Sequence, residues 1–65
     1  MEAYQQRIVE EKNELCDRLL KLEFFIKGDK FSSLPLAEQS RLSRQRDAMT
    51  DYLHVLQERI CAFPT

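Results

Sequence analysis

Residues 4–28, YQQRIVEEKNELCDRLLKLEFFIKG, decide the fold. Their apolar side chains fall at Tyr4, Ile8, Leu15, Leu19, Leu22 and Ile26, a spacing of three and four broken only where Glu11 occupies the expected slot. That period is helical, and it predicts one long amphipathic helix over about residues 2–27. Val9, Cys16, Leu20 and Phe25 widen its apolar face beyond the seam that a single partner helix would cover. Gly28 supplies the C-terminal stop, with Lys27 favourably placed in the last turn.

Downstream, Gly28-Asp29-Lys30-Phe31-Ser32-Ser33 has turn composition, and Ser33 ahead of Leu34-Pro35 reads as an N-cap with proline in the first turn. Leu42, Met49, Leu53, Leu56, Ile60 and Phe63 then recur at helical spacing, and Phe63-Pro64 ends the run. Residues 34–63 form either one helix or a short helix over 34–40 that bends into a longer one. The fold class is all-α: an antiparallel helical hairpin in a single domain, residues 1–65.

Such a hairpin is too small to cover its own apolar faces. A chain of 65 residues buries only about 60% of the surface its unfolded form exposes, and chains of this size lean on disulfides, metals or self-association. Two cysteines, Cys16 and Cys61, allow one bridge at most and read as small core residues. The only histidine is His54, and no CxxC or HxxxH spacing occurs, so no metal or cofactor is expected. Self-association is the remaining staple. No apolar leader precedes Tyr4 and no run approaches about 18 apolar residues, which predicts a reduced, cytosolic chain without a membrane span.

The sequence offers no catalytic constellation. Ser32, Ser33, Ser40 and Ser43 lack a nucleophile elbow, His54 lies in the middle of a helix, and Glu10 and Glu11 point about 100° apart. One glycine rules out a phosphate-cradling loop. The charges are more informative. The net charge of −1 divides into −2 over residues 1–26, +3 over 27–46 and −2 over 47–65. Lys27, Lys30, Arg41, Arg44 and Arg46 make a basic pole beside Phe24, Phe25 and Phe31. A local pole on a mildly acidic chain fits a compact anion better than a long nucleic acid. Cations next to aromatic faces suit a base attached to a phosphate. The competing reading is a coiled-coil adapter that binds another protein through its apolar face, with the pole serving solubility.

Four stretches carry a family resemblance: Ile8-Val9-Glu10-Glu11-x-Asn13-Glu14-Leu15; Lys21-Leu22-x-x-Phe25-Ile26-Lys27; Phe31-x-x-Leu34-Pro35-x-x-Glu38-Gln39; and Gln45-x-x-x-Met49-x-x-Tyr52-x-x-Val55-Leu56-x-x-Arg59-Ile60. Over nearly the whole chain this resembles the small phage anti-CBASS cyclic-oligonucleotide sponges of the second type. The resemblance implies a compact helical homohexamer in the cytoplasm of the infected bacterial host. It also implies that cyclic dinucleotides and cyclic trinucleotides are sequestered without being cleaved. The family's dinucleotide pocket maps onto Asn13, Phe25 and Lys27, while Lys12 stands where the family's tyrosine is expected, exchanging a stacking platform for a charge. Lys30, Arg41 and Arg44 are assigned to a trinucleotide site from charge placement.

Helix geometry adds a constraint. Lys12 and Lys27 are fifteen residues apart, about 22 Å along one helix, whereas a cyclic dinucleotide measures roughly 10–12 Å across. One chain therefore does not hold both ends of the ligand. Two antiparallel copies of the helix would bring Lys12 of one toward Lys27 of the other, matching a two-fold ligand to a two-fold pocket.

Overall fold

The computed structural model describes residues 1–64. Three helices follow in order: α1 (Ala3–Lys27), α2 (Asp29–Ser32) and α3 (Leu36–Cys61). α1 and α3 lie antiparallel and pack along their length, giving a rod of 48 × 14 × 14 Å that is two helices thick. Most of that length follows from the sequence, since 25 and 26 residues rise about 38 Å each at 1.5 Å per residue.

The seam is built from the predicted period. Ile8, Leu15, Leu19 and Leu56 are buried, Leu56 completely, with Met49, Leu53, Ile60 and Phe63 packed against the cluster. Edge-to-face aromatic pairs stand at both ends of the rod. Tyr4 and Phe63 meet at the open end with ring centroids 6.0 Å apart, and Phe25 and Phe31 meet at the turn with centroids 6.5 Å apart. At the start of α1, Gln5 is buried and its Oε1 accepts the Glu2 backbone N–H at 2.8 Å, satisfying one donor of the helix entrance.

Four local expectations are corrected. The interrupted slot of α1 is taken by Lys12, which is half-buried, while Glu11 is exposed. Both Ile8–Glu11–Leu15 and Ile8–Lys12–Leu15 satisfy a three-four spacing, and a lysine can lay its stem on an apolar seam with its ammonium in water. Ser33 does not cap α3. Its hydroxyl donates backward to the Lys30 carbonyl at 2.7 Å, and Pro35 is the residue before the first helical turn, its carbonyl accepting from the N–H groups of Glu38 and Gln39. The short helix is Asp29–Ser32 rather than 34–40, because the proline ring disfavours a helical Leu34 and α3 then runs unbroken from Leu36. Cys61 is exposed, one residue past seam position Ile60, and Cys16 alone is half-buried.

Gly28 ends α1 as expected, its N–H donating to the Phe25 carbonyl at 3.0 Å, and it also opens α2. Its backbone is extended, with φ −87° and ψ 169°. The turn therefore uses no left-handed conformation.

Candidate functional site

α1 ends on a run of large side chains that its partner helix does not cover. Phe24 is 83% exposed and Leu20 59%, while Phe25 stands at 36%. These three, with Lys21, Gly28, Asp29 and Lys30, line an open groove of about 630 Å³ on the outside of the α1–α2 joint. The floor is apolar and two lysines stand at its rim. An aromatic surface with cations at its edge can stack a planar base and receive a phosphate.

The groove unites Phe25 and Lys30, which the sequence reading assigned to different ligands, and it adds Leu20, Lys21 and Phe24. In the sequence Phe24 stands among the aromatics beside the basic pole, and its exposure emerges only from the fold. Because α1 is unbroken, the other predicted residues can be placed around its axis at about 100° per residue. Asn13, Leu20, Phe24 and Lys27 fall within about 60° of one another on the outer face. Phe25 lies about 160° round from Lys27, and Lys12, about 60° round from Lys27, is on the margin of the seam nearer that face. One helix thus presents Asn13 and Lys27 on one face but about 21 Å apart along the axis, and Phe25 and Lys27 close along the axis but on opposite sides.

Arg41 and Arg44 are both exposed on α3, about 7 and 12 Å along the axis from Leu36. They differ in their surroundings. Arg41 Nε is bound to Glu38 Oε1 at 2.8 Å. Arg46 sits half-buried and pairs with Asp47 at 3.1 Å. Among the described residues Lys27, Lys30 and Arg44 have no ion-pair partner, so they are the cations of the pole free to receive an anion. No group of three potential metal ligands occurs among the described residues, and none of their helices is long and apolar enough to cross a membrane.

The fold and its groove define a small all-α hairpin module with an open apolar groove at one end and exposed apolar side chains along its sides. Comparison with known proteins places it more closely. The chain matches the Sequestin family over residues 2–62 and belongs to it; this is the phage anti-CBASS sponge family, whose members bind cyclic oligonucleotides. It is also 35% identical over 63 residues to the uncharacterized 7.5 kDa protein of the denB-rIIB intergenic region of Enterobacteria phage T4, covering 97% of this chain and 98% of that one. No solved structure matches.

Proposed function

We propose that this protein is a phage immune-evasion sponge that sequesters the cyclic dinucleotide and cyclic trinucleotide messengers of host CBASS defence, leaving them chemically intact. The observation that carries this reading is the Sequestin match over residues 2–62. It acts in the host cytoplasm as a homohexamer, with no cofactor and no long nucleic acid as partner. Lys12, Asn13, Phe25 and Lys27 hold the dinucleotide, and Lys30, Arg41 and Arg44 the trinucleotide.

The geometry supports sites shared between copies. Phe25 and Lys27 project from opposite sides of α1, and Lys12 is about 22 Å from Lys27 along an unbroken helix. A ligand that needs an aromatic face and two phosphate contacts within roughly 12 Å gathers them from two chains. Dihedral three-fold symmetry would supply two-fold axes for the dinucleotide and three-fold axes for the trinucleotide. Exposed Leu20, Phe24, Tyr52 and Val55 give the apolar surface such an assembly consumes.

The test is a thermal-shift panel of cyclic di- and trinucleotides. Ligand present at 100 times its Kd adds about 2.7 kcal/mol to the folded state, a rise of about 11–22 °C in Tm for a domain of this size. A panel in which no cyclic nucleotide moves the Tm overturns the reading and favours the adapter.

A further inference from the structure

α2 is a single helical turn, too short to hold itself in place, yet it carries Lys30 to the rim of the groove and Phe31 to the ring of Phe25. Its anchoring can be followed carbonyl by carbonyl. Asp29 O accepts the Ser32 hydroxyl at 2.9 Å. Lys30 O accepts both the Ser33 N–H and the Ser33 hydroxyl, and Phe31 O accepts the Leu34 N–H. All of these bonds are internal to residues 29–34 and by themselves fix the turn to neither long helix.

Beside the Phe31–Phe25 ring contact with α1, one side chain ties it by hydrogen bonds to α3. Gln39, half-buried in the first turn and a half of α3, reaches back so that its Nε2 donates to Leu34 O at 2.9 Å and to Ser32 O at 3.3 Å. Both hydrogens of the amide are used, one for each carbonyl. Backward reach is natural for a residue near a helix N-terminus, since its Cα–Cβ bond tilts that way.

We infer that Gln39 is a positioning residue for anion binding, acting through Lys30: its amide pins the last carbonyls of the α2 segment to α3 and so holds the lysine at the groove. The inference rests on the proposed trinucleotide role of Lys30. Gln39 itself touches no ligand.

Three variants test it on the full chain, with a cyclic triadenosine phosphate as probe and calorimetry as readout. Gln39→Met keeps the side chain's length and removes both donors. Gln39→Glu sets a carboxylate against two carbonyl oxygens. Lys30→Ala removes the cation. Gln39→Met should weaken binding about three- to tenfold and Gln39→Glu more, with the mass by light scattering unchanged. Amide exchange at Ser33 and Leu34 should quicken in Gln39→Met. The double variant Gln39→Met/Lys30→Ala should bind no worse than Lys30→Ala alone, because a lysine already removed cannot be misplaced.

Additive losses in the double variant, or parental affinity in Gln39→Met, overturn the inference. Parental affinity in Lys30→Ala overturns the ligand role of Lys30 and the inference with it, and the exchange rates at Ser33 and Leu34 tell that failure apart from the absence of a clamp.

Discussion

Leu56 and Val55 are neighbours in α3 with opposite environments, and truncating each to alanine separates the hairpin from its assembly. Leu56 is fully buried in the seam, clustered with Ile8 and Leu15, whereas Val55, about 100° round α3, is 49% exposed. Leu56→Ala removes three carbons, about 2.4 kcal/mol of transfer free energy, and the cavity left in a seam only two helices thick raises the loss to about 3–4 kcal/mol. In a domain of this size each kcal/mol is worth about 4–8 °C, so Tm should fall by at least about 12 °C at every protein concentration. Val55→Ala removes two carbons that are already half in water, worth under about 1 kcal/mol within the hairpin. If that face is covered by another copy, its loss appears in assembly: a smaller mass by light scattering and a Tm that falls more steeply on dilution. The assay is thermal unfolding followed by far-UV circular dichroism at two concentrations a hundredfold apart. A Leu56→Ala loss below about 1 kcal/mol refutes the packing argument. A Val55→Ala protein with parental mass and parental Tm at both concentrations refutes burial of the outer face.

The proposed sites give three further expectations. Lys27→Ala should cost about ten- to hundredfold in dinucleotide affinity and leave trinucleotide binding nearly unchanged, and Arg44→Ala should do the reverse; calorimetry with both ligands reads the split, and equal losses would mean one shared site. Glu38→Gln releases Arg41 from its 2.8 Å ion pair, so trinucleotide affinity should rise a few-fold at low salt and return to the parental value at high salt; an unchanged affinity at low salt removes Arg41 from the site. Ligand recovered after long incubation should co-elute with the intact standard on chromatography, and linear product that disappears in a site variant would make the protein an enzyme.

The long elements were legible because the seam period is carried by leucine, isoleucine and phenylalanine at step after step, and a hairpin of two such helices has one way to bury them. The connection was not legible to the same degree. Ser33 has the composition of a cap, but capping depends on where the backbone turns. Leu34-Pro35 moved that point two residues on and left the serine closing α2 instead. Lys12 was hidden by a degeneracy of helical spacing, since position 11 or 12 can complete the same stripe and the charged residue with the longer stem took the inner place. At the site, the aromatic and basic clustering was visible along the chain, while the distribution of Phe25 and Lys27 around α1 required the axis. Gln39 carried no signal beyond its place in a turn-flanking motif, because what it does depends on two carbonyls that only the folded connection brings within reach.

The thinness of the rod has a consequence for descent. Among the described residues only Ile8, Leu15, Leu19, Leu56 and Gln5 are buried by the chain's own fold, so substitutions at exposed positions away from the seam cost the hairpin little. Such a lineage can drift far in sequence, and the T4 protein is 35% identical across nearly the full length of both chains. Identity retained outside those positions is then a record of external selection, by neighbouring copies and by ligand. Aligned sequences of this family should therefore show their slowest-changing surface residues along the outer stripes and the groove at the turn, tracing with no experiment at all where the molecule meets something other than itself.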